Sequence, residues 1–174
     1  MRSPRRPIPP LDRASLDRLA LRYVERFATT RGKLAAYLAR KIRERGWEGD
    51  AVDPAAIAER FAELGYVNDR LYAESKAAAM ARRGLGARRV GEALRHAGIV
   101  GDDAEAVAPQ VEERATETAL AFARRRRIGP YAAEAADRDV MAKQVAAMVR
   151  AGHSPALAWR IARMEPDSEV EDLI

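Results

Sequence analysis

The sequence contains no cysteine and only two histidines among its 174 residues. Disulfide bonds and thiolate metal sites are therefore excluded, and this composition suits a reducing cytoplasm. No apolar run approaches the roughly 20 residues that a membrane-spanning helix needs. The opening MRSPRRPIPP is basic and proline-rich with no hydrophobic stretch behind it, which is unlike a signal peptide. We expect residues 1–14 to form a disordered arm, and we expect no contact with a membrane.

Aromatic residues are scarce, at 6%, although hydrophobic residues make up 48% of the chain. The apolar stock is mainly alanine, leucine and valine, which favours helices over sheets. Apolar residues recur at helical spacing, for example at Leu16, Leu19, Tyr23 and Phe27, and no segment alternates as a strand does. The pattern predicts an all-α fold.

Glycines mark the predicted helix ends. Each is preceded, four residues earlier, by an apolar residue and is followed by a residue that can pack back on the last turn, which is the Schellman pattern. Helix starts are predicted at Asn68, at Gly86 and at Ser154, which precedes a proline. The five predicted end residues are Gly46, Gly65, Gly84, Gly98 and Gly152.

The spacing of these glycines predicts an internal repeat. Gly46, Gly98 and Gly152 end helices of similar character and lie 52 and 54 residues apart. A unit of three helices, repeated three times, explains this spacing and predicts an elongated, curved array. The predicted segments are repeat 1 over 15–65, repeat 2 over 66–113, repeat 3 over 114–165, and an acidic, mobile tail over 166–174.

Charge is distributed unevenly along the chain, whose overall net charge is +5. Residues 1–99 hold 21 Lys and Arg against 12 Asp and Glu, whereas residues 100–174 hold 10 against 14. A basic first part and an acidic second part suggest one face for polyanions and another for a different partner.

No catalytic or metal-binding pattern accompanies these charges. His96 and His153 have no carboxylate or cysteine at ligand spacing, and we expect both to be helix-end residues favoured by the dipole. The GLG stretch at Gly84–Gly86 does not lie between a predicted strand and a helix, as the glycines of a phosphate-binding loop do. We therefore predict that the protein is not an enzyme and uses no cofactor or metal.

Arginines around the interhelical turn at Gly84 are the remaining candidates for function. Arg82 and Arg83 end one helix, where cations suit the dipole, but Arg88 and Arg89 begin the next, where cations are disfavoured. We expect the latter two to be exposed and to bind anions, for which the planar guanidinium is well suited. The full set of binding candidates is Arg82, Arg83, Arg88, Arg89, Arg95, Arg124, Arg125, Arg126 and Arg127.

Residues 65–99, GYVNDRLYAESKAAAMARRGLGARRVGEALRHAGI, resemble the most recognisable segment of the RecX family of regulatory proteins. The sequence departs from the family pattern at Leu71, where arginine is usual, and at Ala87, where proline is frequent. The matching residues are Gly65, Tyr66, Val67, Asn68, Asp69, Tyr72, Ala73, Arg82, Arg83, Gly84, Gly86, Arg88, Arg89, Val90, Leu94, Gly98 and Ile99.

The resemblance implies tandem three-helix repeats and a function in DNA repair, recombination and the SOS response. Proteins of this family are understood to bind the RecA recombinase and to lie along the groove of its filament on single-stranded DNA. They inhibit ATP hydrolysis and strand exchange. We expect a cytoplasmic monomer with weak, non-specific affinity for single-stranded DNA.

A second hypothesis is a helical DNA-binding protein that acts alone. Leu85 and Gly86 between two helices resemble a helix-turn-helix, in which Arg88, Arg89 and Arg95 would enter the major groove. The second helix has few of the Asn, Gln, Ser or Thr side chains that accompany arginine in base recognition.

Overall fold

A computed structural model describes residues 9–173 of the chain, without the side chain at position 172. The predicted all-α fold is confirmed, and within the described residues the β-structure is a single bridge between Leu11 and Trp47. Short 3₁₀ segments occur at Gly129–Tyr131 and Glu171–Leu173. The helices are α1 (Arg13–Arg26), α2 (Arg31–Arg45), α3 (Pro54–Glu63), α4 (Asp69–Arg82), α5 (Ala87–His96), α6 (Asp102–Glu105), α7 (Ala108–Glu113), α8 (Ala115–Arg126), α9 (Arg138–Arg150) and α10 (Pro155–Ala162).

Side-chain caps explain where many of these helices begin. The predicted cap at Ser154 accepts a hydrogen bond from Leu157 N, and Pro155 occupies the first position of α10. Three Asp residues and one Thr cap other helices in the same way, which satisfies backbone N–H groups that have no partner within the helix. These further caps are Asp12, Thr30, Asp53 and Asp137.

All five predicted helix-ending glycines have a positive φ, between 76° and 99° except for Gly84 at 64°. The long Schellman hydrogen bond forms from Tyr66 N to Phe61 O, from Leu85 N to Met80 O and from His153 N to Met148 O. The helix boundaries that were predicted from glycine are therefore confirmed.

The chain forms two compact units. The first contains α1, α2, α3, the start of α4 to Tyr72, and residues Ala97–Ile99. The second contains the rest of α4, α5, and the chain from Val100 onward. Each unit has its own apolar core: Leu16, Leu34, Leu38 and Ile57 are buried in the first, and Ala123, Met148, Ala158 and Ile161 in the second. The three predicted repeats stay a prediction.

The predicted disordered arm needs correction in its second half. Residues 1–8 lie outside the described part of the chain. Leu11, however, is fully buried; its N–H donates to Gly46 O at 2.9 Å and its carbonyl accepts from Glu48 N at 2.9 Å. Helix α1 then begins at Arg13. The arm is packed here because an apolar leucine fills the first core, a burial that its proline-rich surroundings did not suggest.

The predicted mobile tail over 166–174 is also corrected for the residues that the structure describes. Asp167 N donates to Pro130 O at 3.0 Å, and Val170 and Leu173 pack against the second core. Val170 and Leu173, two isolated apolar residues, therefore pack an otherwise acidic segment against the second core. Such spacing produces no helical period, so sequence periodicity could not reveal it.

Candidate functional site

The first half of the RecX-like motif, around Asp69, lies in the first unit. Asn68 begins α4 as predicted, because its side chain accepts a hydrogen bond from Leu71 N at 2.8 Å. Asp69 is only 5% exposed, and its carboxylate accepts from Arg31 N at 2.9 Å and from Arg31 Nε at 3.1 Å. The hydrogen bond to Asp69, with a smaller effect of Glu59 at 3.2 Å, raises the pKa of Arg31. Asp69 thus joins α4 to the start of α2 as well as favouring its own helix.

The motif residue Gly98 lies against Gly32, also within the first unit. A Cβ at Gly32 would come 2.8 Å from the Cα of Gly98, so neither position has room for a side chain. Next to them, the Thr30 hydroxyl donates to the carbonyl of Ala97. The motif glycine therefore allows a close backbone approach in addition to ending a helix.

The motif residue Gly84 lies in the second unit and contacts the start of α10 through His153. His153 is 4% exposed, and its Nε2–H donates to Gly84 O at 3.0 Å. Burial lowers the pKa of His153, because the charged imidazolium would lose its hydration. The ring also packs on Phe122 at a centroid distance of 5.6 Å. His153 is predicted from the sequence to be a helix-end residue favoured by the dipole, whereas the structure places it directly after α9 as a buried hydrogen-bond donor.

The start of α5 meets the end of α9 through backbone hydrogen bonds. Gly86 N donates to Ala151 O at 2.9 Å, and Arg88 N donates to Gly152 O at 3.2 Å. The first N–H groups and the last carbonyl groups of helices have no partner within their own helix. Here the two ends satisfy each other, with the positive end of one dipole against the negative end of the other.

The side chains of Arg88 and Arg89 complete this contact. Arg88 Nη2 donates to Val149 O at 2.8 Å, and Arg89 Nε donates to Arg150 O at 3.0 Å. These cations begin α5, where its own dipole disfavours them, but they lie at the negative end of α9. The two arginines therefore have a structural role that the sequence did not reveal, because their carbonyl acceptors are 61 residues away, and their binding of an anion stays a prediction.

Glu92 gathers three of the candidate arginines. Its carboxylate lies 2.7 Å from Arg88 Nη1 and 3.0 Å from Arg89 Nη1. The hydrogen bond from Arg89 is the largest cause of the lowered pKa of Glu92, and the charges of Arg88 and Arg95 act in the same direction. One carboxylate thus neutralises part of this cluster, although about half of each of the Arg88 and Arg89 side chains is still accessible to water.

The arginine run at the end of α8 is exposed and surrounds the helix end. Arg125 Nη1 donates to Arg82 O at 3.2 Å, which brings this candidate to the end of α4. Arg124 lies over the Tyr131 ring at 5.0 Å and Arg126 over the Phe122 ring at 5.8 Å. Arg127 ends α8 in the left-handed conformation, and Arg82 and Arg83 are exposed at the end of α4.

Sequence reasoning missed a strongly basic surface in the first unit. Helices α1 and α2 together hold ten Lys and Arg against three Asp and Glu, a net charge of +7 on 29 residues. Phe27, which was assigned to an apolar stripe, is 49% exposed at the end of α1. The net charge of each predicted helix indicates this surface, whereas runs of consecutive arginines do not, because its cations are spread along two helices.

Among residues 9–173, no three His, Asp or Glu side chains come together as a metal site would require. None of the helices in the described chain is both long and apolar enough to cross a membrane.

Comparisons with known proteins show which proteins this chain is similar to. A regulatory protein RecX from Myxococcus xanthus (strain DK1622) is 29% identical over 163 residues, which are 87% of this chain and 86% of that protein. No protein-family model matches the chain.

Solved structures show the same fold. The crystal structure of RecX from Lactobacillus salivarius matches with a TM-score of 0.60 at 22% identity, over 92% of this chain and 97% of that one. A second crystal structure of a regulatory protein RecX matches with a TM-score of 0.58 at 20% identity, over 86% and 72% of the two chains. The resemblance that the motif predicted is confirmed in sequence and in fold.

Proposed function

We propose that this chain, which is similar to RecX regulatory proteins, binds the RecA recombinase and its filament on single-stranded DNA. In this proposal it restrains ATP hydrolysis and strand exchange, acts in the cytoplasm as a monomer, and performs no chemistry of its own. Its effects on recombination, DNA repair and the SOS response follow from that restraint.

The observation that carries the proposal is the similarity to the Myxococcus xanthus regulatory protein RecX, which spans most of both chains. Within this chain, the motif over residues 65–99 contains a buried Asp69 and places Gly98 in a close backbone contact. Because a fold alone does not determine function, the proposal relies on sequence similarity along most of both chains to a protein named as a regulator.

The charges of the described surface suit a partner made of protein and nucleic acid. Exposed guanidinium groups at the ends of α4 and α8 can bind carboxylates or phosphates through two parallel hydrogen bonds. The acidic residues that prevail after position 100 suit a basic neighbour. A filament of recombinase on DNA offers both signs of charge.

The helix-turn-helix alternative has less physical support. A recognition helix presents its first residues to base edges in the major groove. In this chain Gly86 and Arg88 at the start of α5 donate backbone hydrogen bonds to the end of α9, and Arg88 and Arg89 direct guanidinium N–H groups to the carbonyls of Val149 and Arg150. These contacts engage backbone and guanidinium N–H groups at the start of α5, which disfavours insertion of that helix end into a groove.

The test is a titration of the purified chain into its cognate RecA during DNA-dependent ATP hydrolysis. We expect hydrolysis to fall when less than one copy is present per recombinase. Arg82→Gln with Arg83→Gln should weaken this inhibition, because both side chains are exposed at the end of α4. Arg138→Gln with Lys143→Gln is the matched control, since it removes the same two charges from exposed positions on α9.

Unchanged hydrolysis at a full equivalent of folded protein would refute the proposal. Tight binding to one duplex sequence, together with unchanged hydrolysis, would favour the helix-turn-helix alternative. Equal inhibition by both double variants would exclude Arg82 and Arg83 from the interface while leaving the inhibition itself established.

A further inference from the structure

Helices α1 and α2 carry an aromatic row on their shared surface. Tyr23 and Tyr37 are stacked, with centroids 4.2 Å apart and planes 17° apart, and Phe27 follows at 5.3 Å from Tyr23. The two tyrosines pack partly on the first core, whereas the Phe27 ring is 49% exposed. A half-exposed phenylalanine beside two partly exposed tyrosines is a large apolar surface to leave in contact with water.

Cations flank this row. Arg26 lies over the Phe27 ring at 5.5 Å, and Arg40 and Lys41 lie over the Tyr37 ring at 5.7 and 5.9 Å. Glu44 is shared between Arg40 and Lys41, at 3.6 and 2.6 Å, and its pKa is lowered first by the hydrogen bond from Lys41. Glu44 therefore contacts two of the three cations that flank the row, within a pair of helices of net charge +7.

We propose that this α1–α2 surface, formed by Tyr23, Arg26, Phe27, Tyr37, Arg40 and Lys41, binds single-stranded nucleic acid. A single strand presents alternating phosphates and unstacked bases, which match flanking cations and exposed rings. The inference deepens the proposed function, because it names the surface that contacts the single strand in the filament.

Other partners fit the surface less well. In a duplex the bases are stacked on one another and present no free face to Phe27 or Tyr37. An acidic protein would engage Arg26, Arg40 and Lys41 but would leave the rings exposed. Only a ligand that carries both negative charge and flat apolar rings uses every component of the surface, and stacking on aromatic rings requires no particular base sequence.

The test measures binding of the full chain to fluorescent oligothymidylate of about 20 nucleotides, which exceeds the site of a typical binding module. Arg26→Gln with Arg40→Gln should weaken binding about tenfold. It should also reduce the slope of log K against log salt by about 1.4, as expected for two lost contacts with a single strand. Phe27→Ala should weaken binding at least about fivefold with little change in the salt slope, because it removes stacking and no charge.

Two controls separate this surface from general electrostatics. Arg138→Gln with Lys143→Gln removes the same charge from the second unit, and we expect less than about a twofold change. Leu64→Ala removes an apolar side chain that is 64% exposed and should leave binding unchanged. Circular dichroism of every variant verifies that the helices persist.

The proposal is overturned if the wild-type chain does not bind the oligonucleotide, if Phe27→Ala binds as wild type does, or if both charge variants weaken binding equally. A duplex of the same length that binds as tightly and with the same sensitivity to Phe27→Ala would also overturn it. No recombinase is present in these measurements. If the chain fails this binding test but still inhibits ATP hydrolysis by RecA, only the single-strand surface is refuted. If it passes the binding test but does not inhibit ATP hydrolysis, only the proposed function is refuted.

Discussion

Gly86 lies so close to Gly152 that a Cβ at Gly86 would come 2.6 Å from His153 N and nearer still to the carbonyl of Gly152. The contact places the start of α5 directly on the end of α9. In the first unit Gly32 and Gly98 make a similar contact, and each member of that pair precedes its counterpart in the second by 54 residues. The two contacts support the proposal that the chain is built from repeats.

Gly86→Ala should therefore destabilise the protein, because the neighbouring atoms belong to backbone and cannot move without disturbing α9. We expect a loss of about 1–3 kcal/mol in the free energy of unfolding, measured by urea denaturation. Gly91→Ala is the matched control on the same helix. The nearest atom to its added Cβ is the flexible end of Arg95, at 3.4 Å, so this change should stabilise the protein by about 0.5–1 kcal/mol. A neutral Gly86→Ala would contradict the close contact.

Arg88 and Arg89 provide a test of structure against binding. Replacing each by glutamine removes a hydrogen bond to the last carbonyls of α9 and should cost about 0.5–1.5 kcal/mol per residue in the free energy of unfolding. Glutamate at the same positions should cost more, because a carboxylate would face those carbonyls. If the two side chains were only exposed and anion-binding, as the sequence predicts, the double glutamate variant would keep its fold and lose binding.

To decide between a structural and a binding role, Arg88→Gln with Arg89→Gln is compared with Arg82→Gln with Arg83→Gln. Arg82 and Arg83 lie at the end of α4 and donate no hydrogen bond to α9 in the part of the chain that the structure describes. The free energy of unfolding of both double variants is first measured by chemical denaturation. Their inhibition of ATP hydrolysis is then measured at a temperature at which both are folded. If the Arg88 and Arg89 variant is as stable as the wild type, the capping role is refuted.

Glycine and capping residues in the sequence were sufficient to predict where helices begin and end, but not which helices contact one another. Positive φ angles at Gly46, Gly65, Gly84, Gly98 and Gly152 were predictable because glycine followed by an apolar residue has a local meaning. The hydrogen bonds of Arg88 and Arg89 were not predictable, because their acceptors are backbone carbonyls that any sequence provides. Composition cannot identify such a partner.

The same reasoning explains the surface that was missed. Tyr23 and Phe27 are four residues apart, which is equally typical of a buried stripe and of an exposed row. The difference depends on where α1 ends and on the position of Tyr37 in α2. Only tertiary structure supplies that information, so a periodic aromatic pair should be read together with the net charge of its helix.

His153 makes the stability of the second unit depend on pH. Burial holds its pKa below the ordinary value of 6.5, so the unfolded chain binds a proton more readily than the folded chain. Stability from this group is complete above pH 6.5 and is lost as the pH falls from 6.5 through the lower pKa of the folded state. The carbonyl of Gly84 opposes this loss slightly, because it also accepts a hydrogen bond from the charged ring.

We expect the free energy of unfolding, measured by urea denaturation between pH 8 and pH 5, to decrease below pH 6.5 in the wild type. His153→Gln keeps an N–H donor for Gly84 but does not titrate, so it should lower stability at pH 8 and remove this part of the pH dependence. His96→Gln is the matched control, since His96 is exposed on α5 and its replacement should leave the wild-type profile in place. An unchanged profile in His153→Gln, or one that disappears in His96→Gln, would show that the buried imidazole is not the group responsible.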